Sequence, residues 1–202
     1  RLIEEVEKSG LVYNLAENYP FTRANAYLAW RWRQGLFGEL MYAEGEYLHE
    51  IIMLQYCWND PQKTPIEPGH AVHAWRSWIH PHYYNTHSLG TLMHITNTRP
   101  KRIVSLPCEK ELPGSIKPNG PYGFSGIAPS LIQMDNGGLV RNLMGATPQD
   151  DRLYRFWGDR GAASVGRHGI TLSLGGGGHS PTFEVEPCWP DHGDLASQLG
   201  HG

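Results

Sequence analysis

The sequence predicts an α+β protein: a large, mostly antiparallel open sheet with helices on one face, preceded by a terminal helix and strand of the α/β type. Two observations lead to this fold class. Residues 39–49 alternate in the manner of a strand, and two later stretches, 131–144 and 154–165, have the pattern of antiparallel hairpins. Residues 1–9 and 21–34, in contrast, repeat apolar side chains at helical spacing.

The composition sets limits on the function. The chain has 202 residues, of which 40% are hydrophobic and 18% charged, the balance of an ordinary globular domain. Its net charge is −3 and it contains no run of Lys or Arg, so we expect no nucleic-acid partner. No apolar stretch reaches about 18 residues, so we expect no association with membranes. Three widely spaced cysteines favour a reducing compartment, and we predict a cytoplasmic location.

The chain begins with one half of a βαβ unit. Residues 1–9 predict a helix with acidic residues opposite its apolar face, and Gly10 suits a C-terminal cap. Residues 11–16 follow as a short buried strand. The other half of the unit is absent from this sequence, so we expect a further segment before Arg1.

A helix and a long strand come next. Residues 21–34 predict the helix, and Pro20 suits its first turn. The strand at 39–49 has two polar residues on one face, Glu44 and Glu46. Its other face carries Met41, Ala43, Gly45, Tyr47 and His49.

Loops and short elements make up the rest of the chain. Residues 55–83, rich in Pro and Trp, predict a long ordered loop, which in a compact domain is usually functional. The later elements are, in order, a helix at 87–97, a strand at 102–106, a loop at 107–129, the two hairpins and a strand at 170–174. The first hairpin turns at an Asn-Gly pair. The tail, rich in Gly, Pro and His, predicts no regular structure.

Two pairs of an aromatic residue and a histidine are the main candidates for chemistry. Tyr47 and His49 lie two apart on the long strand, so their side chains point to one face, where small neighbours leave space. Such a pair could face a substrate as an acid and a base. The alternative is an aromatic strand face that packs on a helix.

The second pair is Tyr84 and His87, three apart at a predicted helix start, so both can face one pocket. The positive end of the helix dipole favours the neutral imidazole, which can act as a base at pH 7. The alternative is a capped helix start with one hydrogen-bonded histidine.

Further polar residues are candidate ligand contacts. Glu17 and Asn18 directly follow the short strand, and the carboxyl end of such a strand often meets a ligand in α/β sheets. The alternative is a plain turn before the helix. Arg76, between Trp75 and Trp78, could offer its guanidinium to a sugar hydroxyl or a phosphate, or could pack on the rings in the core.

Other site types have weaker signals. His80 and His82 have a spacing that metals sometimes use, but no HExxH or carboxylate pattern accompanies them, so we predict no metal site. A metal-dependent hydrolase built on this region is the alternative. The glycine run at 175–178 lacks the residues of a phosphate loop, and neither GxGxxG nor GxSxG occurs in the chain.

Three segments together resemble the Gfo/Idh/MocA superfamily of nicotinamide-dependent oxidoreductases. They are LAENYPFTRAN at 15–25, GLFGELMYAEGEYLHE at 35–50 and YYNTHSLGTL at 83–92. The final Gly-His-Gly at 200–202 is similar to the start of a His-Gly-Gly-type loop. The resemblance extends in order over roughly residues 1–175 and is closest to a branch that includes NAD-dependent retaining glycosidases.

The resemblance implies two domains. Residues 1–19 would be the end of a dinucleotide-binding Rossmann domain, and 20–202 would be a substrate-binding and oligomerisation domain that continues past this chain. The cofactor would be NAD or NADP, although the Gly-rich loop and the usual EKP lysine are absent from this chain. We therefore expect the chain alone to be inactive, and the whole protein to bind a small carbohydrate and to form a homo-oligomer through the open sheet.

The resemblance also assigns roles to single residues, to which the local patterns described above add Asn18 and Arg76. The expected groups are a cofactor-binding pair, a substrate-binding set and a catalytic proton-transfer pair: Glu17 and Asn18; Tyr47, His49 and Arg76; and Tyr84 and His87. Many dehydrogenases of the family have Asp four residues before this histidine. This chain has Tyr83 there, which favours the glycosidase-like branch.

The chemistry of such proteins begins with hydride transfer from a sugar carbon to NAD, which gives a ketone and acidifies the neighbouring C–H. In the glycosidase-like branch the glycosidic bond then leaves by elimination, water adds and the hydride returns. A carboxylate-pair glycosidase is disfavoured, because Glu44 and Glu46 are near neighbours on one strand and cannot flank a substrate. A non-catalytic sheet domain that serves oligomerisation is the remaining alternative.

Overall fold

The computed structural model describes residues 1–14, 16–49, 81–106, 108–110, 127–147, 151–166, 169–175 and 182–185. The α-helices among them are α1 (Leu2–Ser9), α2 (Arg23–Arg33) and α3 (Thr91–Thr96). The strands are β1 (Leu40–His49), β2 (Pro100–Ser105), β3 (Ile127–Met134), β4 (Leu139–Ala146), β5 (Asp151–Gly158), β6 (Gly161–Gly166), β7 (Gly169–Leu174) and β8 (Thr182–Val185).

All eight strands form one sheet in the order β2-β3-β4-β1-β5-β6-β7-β8. Strand β1 runs parallel to β4, whereas the other neighbouring pairs of this sheet are antiparallel. The parallel pair arises because the chain leaves β1, builds β2 and β3, and returns to lay β4 beside β1. The predicted α+β fold with a mostly antiparallel sheet is confirmed.

Helices α2 and α3 pack on the same face of the sheet, as predicted. On β1, Ala43 and Gly45 are buried on that face. A Cβ on Gly45 would lie 2.8 Å from Cδ1 of Leu92, so the glycine lets α3 approach the strand closely. Trp32 of α2 stacks on Phe37 with ring centroids 5.1 Å apart. The core therefore lies between these helices and the centre of the sheet.

The N-terminal helix is confirmed, but the strand after it is not. Helix α1 ends at a glycine with φ 65°, the left-handed cap predicted for it. The next four residues have no regular structure, and Leu11, Val12 and Tyr13 are exposed. The predicted strand at 11–16 is wrong for these residues, because a strand needs a hydrogen-bonded neighbour and none of the described strands pairs with them.

Two predicted long helices each begin with a turn of a different kind. A 3₁₀ turn at Tyr19–Phe21 precedes α2, and a π-turn at Thr86–Gly90 precedes α3. The predictions at 21–34 and 87–97 merged each turn with its helix. Pro20 lies inside the 3₁₀ turn, where its missing N–H breaks no hydrogen bond of the helix.

Strand β1 follows its predicted alternation except at its start. The register shifts between Leu40 and Tyr42, and Met41 is exposed. The predicted alternation therefore does not extend to Met41, whose side chain is exposed next to the irregularity. Beyond it, Glu44 and Glu46 lie on the face opposite the helices, as predicted.

The two predicted hairpins are confirmed as β3–β4 and β5–β6. In the first turn Gly137 has φ 88°, a conformation that favours glycine, and the Asn136 amide donates to the Leu40 carbonyl at 3.1 Å. Strand β8 lies in the tail, where the sequence predicts no strand. Strand β3 begins at Ile127, so the last residues of the predicted loop at 107–129 belong to this strand. Of the loop at 55–83, only Pro81–Tyr83, a 3₁₀ turn, lies within the described residues.

The open face of the sheet carries a group of paired charges. Arg141 on β4 donates to both Glu44 and Glu46 on β1, and Arg155 on β5 pairs with Glu44 from the other side. Burial by itself would raise the pKa of Glu44, but hydrogen bonds from Tyr42 and Arg141 and the charges of both arginines lower it.

None of the described helices is long and apolar enough to span a bilayer.

Candidate active site

Three predicted site residues meet on the helix-covered face, at the C-terminal end of β1. Glu17 precedes the 3₁₀ turn, and Tyr84 and His87 come from the segment that leads into α3. Tyr47 of β1 lies against them, with its ring centroid 4.7 Å from the His87 ring and 6.3 Å from the Tyr84 ring. Elements far apart in the chain thus place one carboxylate, one imidazole and two phenols together.

Both ring nitrogens of His87 are hydrogen-bonded. Nδ1 lies 2.7 Å from Oε1 and 2.9 Å from Oε2 of Glu17. Nε2 lies 2.8 Å from the phenol oxygen of Tyr84. The three side chains therefore form an unbroken line from a carboxylate to a phenol.

The charge state of Glu17 assigns the donor at the Nδ1 end of this line. Burial alone would raise the pKa of Glu17, but hydrogen bonds from His87, Thr86 and the Tyr19 amide, together with attraction to His87, lower it from 4.5 to about 2. An ionised carboxylate only accepts, so Nδ1–H of His87 donates to it. In the neutral imidazole Nε2 then carries a lone pair, and the Tyr84 hydroxyl donates to it.

The backbone fixes the Glu17 carboxylate. Oε1 accepts the amide N–H groups of Asn18 and Tyr19, each at 3.0 Å. Asn25, buried in α2, donates through its side-chain amide to the Tyr19 carbonyl at 2.9 Å. The turn that holds the carboxylate is thereby tied to the helix that follows it.

The His87 main chain is held just as closely. Its carbonyl accepts the Tyr154 hydroxyl of β5 at 2.5 Å and the Thr91 hydroxyl of α3 at 2.8 Å. Burial raises the pKa of Tyr154, so this phenol remains protonated and continues to donate. A π-turn often marks a functional site, and here it supplies the residue at the centre of the line.

Aromatic rings enclose the imidazole. Tyr19 stacks on the His87 ring with centroids 4.2 Å apart and an interplanar angle of 27°. Tyr47 meets the same ring edge-on at 80°. Arg152 of β5 lies over the Tyr19 ring, with its guanidinium carbon 5.4 Å from the ring centroid. Burial raises the pKa of Tyr19, which keeps its phenol neutral.

The two predicted pairs converge in this one cluster. The ring centroids of Tyr47 and His49 are 5.5 Å apart, and Tyr47 is fully buried, whereas His49 is half-buried. Tyr47 therefore packs against His87. Its full burial agrees with the packing alternative, and its contact with His87 places it beside the proposed acid–base pair. Contact of either residue with a substrate stays a prediction.

The other predicted residues have mixed outcomes. Asn18 contributes its backbone N–H to the Glu17 carboxylate, and its role toward a cofactor stays a prediction. Arg76 and His80 lie outside the described residues. His82 lies 2.6 Å through Nε2 from the Ser105 hydroxyl. Within the described ranges, no group of three or more His, Cys, Asp or Glu side chains is arranged to hold a metal ion.

Sequence reasoning missed Arg152 and Tyr154 of the cluster, and it assigned no role to Tyr19. Tyr19 carries a signal, since it follows Glu17 by two residues and shares its turn. Arg152 and Tyr154 carry none, because only the pairing of β5 with β1 places them opposite Tyr47 and Gly45.

No protein-family model matches the sequence, and no curated protein does. Solved structures match the fold. An inositol dehydrogenase homolog from Azotobacter vinelandii, complexed with NADH and myo-inositol, is 15% identical with a TM-score of 0.65, over 91% of this chain and 45% of its own. A levoglucosan dehydrogenase in complex with NADH and L-sorbose is 16% identical with a TM-score of 0.66, over 100% of this chain and 55% of its own.

A third match is the aldose-aldose oxidoreductase from Caulobacter crescentus, complexed with glycerol, at 15% identity and a TM-score of 0.66, over 99% of this chain and 55% of its own. The chain has the fold of one half of these oxidoreductases. It spans about half the length of the structures it matches. The Gfo/Idh/MocA-type resemblance read from the residues is thereby confirmed at the level of fold.

Proposed function

We propose that this chain is the substrate-binding part of a nicotinamide-dependent oxidoreductase that acts on a sugar or glycoside, with Tyr84 and His87 as its acid–base pair. The line of hydrogen bonds from Glu17 through His87 to Tyr84 carries the proposal. Oxidation of a sugar hydroxyl releases its O–H proton, and this line can accept it. The fold supports the substrate class, because its solved neighbours include inositol and levoglucosan dehydrogenases.

The cofactor of this proposal is NAD or NADP, which accepts hydride from the sugar carbon when bound. The described residues offer no glycine-rich turn that could hold a pyrophosphate, so the dinucleotide does not fit this part of the chain alone. We propose that residues 1–19 end the dinucleotide-binding domain and that 20–202 form the substrate domain. The exposed side chains of Leu11, Val12 and Tyr13 are apolar surface that such a domain would cover.

Replacement of the central imidazole tests the function. The protein expressed from its complete gene is assayed for reduction of NAD or NADP with a panel of polyols, aldoses and glycosides. For His87→Asn we expect turnover to fall by a factor of about 100 or more, because the proton of the sugar hydroxyl loses its acceptor. The assay is absorbance of the reduced nicotinamide.

His94→Asn is the matched control. This histidine of α3 contacts Phe21, with centroids 5.3 Å apart, and lies outside the line of hydrogen bonds, so we expect its variant to keep its activity. Full activity of His87→Asn, or no reduction of nicotinamide with any sugar, would overturn the proposal. Release of nitrophenol from a nitrophenyl glycoside only when NAD is added would instead assign the protein to the glycosidase-like alternative.

We also propose that a second copy of the protein packs on the open sheet face. Val104, Leu131 and Trp157 are exposed there beside the paired charges. Acids and arginines alternate across the central strands and neutralise one another, so two such faces can meet without net repulsion. This is the homo-oligomer expected from the sequence.

A charge placed on this face, at Leu131 of β3, tests the assembly. For Leu131→Asp we expect the sedimentation coefficient to fall to that of a monomer, because the carboxylate would lose its water in the interface. Arg23→Asp, on the exposed side of α2 behind the sheet, is the control and should leave the assembly unchanged. An unaltered oligomer in Leu131→Asp, or a wild-type monomer, would contradict the proposed interface.

A further inference from the structure

We infer that Tyr84, and not His87, exchanges the proton with the substrate, and that His87 and Glu17 form a relay behind it. The inference rests on the proposed function and refines it by ordering the groups of the acid–base line. It also gives Glu17 a positioning role toward His87 in place of the contact with the nicotinamide expected from the sequence.

The imidazole has no nitrogen left for a substrate. Nδ1 lies within 2.9 Å of both carboxylate oxygens of Glu17, and Nε2 lies 2.8 Å from the Tyr84 oxygen. The side chain of His87 is only 7% exposed. Tyr19 covers one ring face at 4.2 Å, and Tyr47 approaches the ring edge-on. A sugar hydroxyl could reach His87 only by displacing one of these partners.

The phenol of Tyr84 is more accessible than the imidazole of His87. Tyr84 is half-buried, in contrast to the buried His87. A phenol oxygen that donates its proton to Nε2 can still accept a hydrogen bond from another hydroxyl. The proposed role of Tyr84 is therefore to contact the substrate hydroxyl and His87 at the same time.

The proton step balances within these groups. In the oxidation that the proposed function requires, a bound nicotinamide would take up hydride from the sugar carbon. The O–H bond of the substrate would break in that oxidation, and its proton would join the Tyr84 oxygen. The proton of Tyr84 moves to Nε2 of His87 in the same step. The phenol is regenerated, and the imidazole becomes an imidazolium whose positive charge arises next to the ionised carboxylate of Glu17.

Glu17 acts through His87 and is a positioning residue. Its carboxylate keeps the proton on Nδ1, so that the lone pair of Nε2 points at Tyr84. It also faces the imidazolium with a full negative charge, held in place by the amides of Asn18 and Tyr19. The carboxylate comes from a segment 70 residues before the histidine, and not from the turn that precedes α3.

Removal of a single oxygen tests the order of the relay. In the protein expressed from its complete gene, we expect Tyr84→Phe to lower turnover by a factor of about 100 or more, because the phenyl ring preserves the packing but ends the relay. Tyr83→Phe is the matched control: the neighbouring tyrosine is 66% exposed, and we expect its variant to keep its activity.

The outcomes separate the relay from the proposed function. Near-normal activity of Tyr84→Phe together with loss of activity in His87→Asn would overturn the relay and leave the function intact, since Nε2 would then meet the substrate directly. Loss of activity in both variants supports the relay. Near-normal activity in both would overturn the relay and the proposed function together.

A spectroscopic readout tests the relay without turnover. With ¹⁵N-labelled histidine in the protein from its complete gene, we expect the His87 resonances of one tautomer, with the proton on Nδ1. Tyr84→Phe should shift the Nε2 resonance, and Glu17→Leu, which removes the acceptor, should mix the two tautomers. Glu17→Gln keeps an acceptor oxygen and should retain the tautomer. A proton found on Nε2 in the wild type would overturn the relay.

Discussion

Gly158→Ala is expected to destabilise the domain by about 3 kcal/mol, because it forces atoms together where nothing can yield. A Cβ at Gly158 would lie 1.9 Å from the carbonyl oxygen of Phe37 and 2.8 Å from its carbonyl carbon. Both are backbone atoms, and the Phe37 side chain is fully buried against Trp32. Urea unfolding monitored by tryptophan fluorescence measures the loss.

Gly90→Ala provides the comparison for this prediction. No atom lies within 4 Å of the Cβ that this glycine would gain, and its φ of −59° is ordinary for alanine. We expect no loss, or a gain of about 0.5 kcal/mol from the smaller entropy of the unfolded chain. Equal stability of the two variants would show that the contact between β5 and the Phe37 carbonyl is looser than the structure has it.

The second large effect is the stability that the ionised Glu17 carboxylate contributes and its loss at low pH. The pKa of this carboxyl is about 2 in the folded protein, below its ordinary value of 4.5. A depressed pKa stabilises the fold above the unfolded value and loses that contribution as the pH falls through the folded value. We therefore expect Glu17→Gln to cost about 2 kcal/mol at neutral pH, and the difference from the wild type to shrink on acidification from about pH 5 to about pH 2.

Unfolding in urea at a series of pH values measures this difference. Glu5→Gln is the control, because Glu5 lies exposed on α1 in a surface pair with Lys8. That variant should change the free energy of unfolding by less than about 0.5 kcal/mol at any pH. A Glu17→Gln protein as stable as the wild type at neutral pH would mean that the carboxylate and His87 do not stabilise the fold.

Local patterns predicted most of the sheet. The alternation at 39–49 gave β1 and its two faces, and the Asn-Gly pair gave the β3–β4 hairpin, because both depend on neighbours within a few residues. The exposure of Met41 at the start of β1 was not predicted, because the register shift beside it arises in the pairing of β1 with β5. The stretch at 11–16 is apolar enough for a strand, yet pattern alone cannot supply the partner that a strand needs.

The two pairs of tyrosine and histidine in the candidate site could be predicted from the sequence, but the contacts that join them to Glu17 could not. The spacing of Tyr84 and His87, and of Tyr47 and His49, placed each pair on one face of its own element. The link between His87 and Glu17 joins residues 70 apart, and no spacing rule reaches so far. The place of His87 inside a stack of rings depends in the same way on how the 3₁₀ turn and β1 close around it.

The parallel pairing of β1 with β4 bears on how the domain is made. Both strand partners of β1 come late, since Arg141 is 97 residues beyond the glutamate it binds, and β5 follows after β4. During synthesis β1 therefore leaves the ribosome before either of its partner strands. Nearly a hundred further residues must follow before the backbone groups at its edges can form their hydrogen bonds. Long-range pairing of this kind slows folding, so we expect the nascent chain to need shielding by chaperones until β5 has emerged.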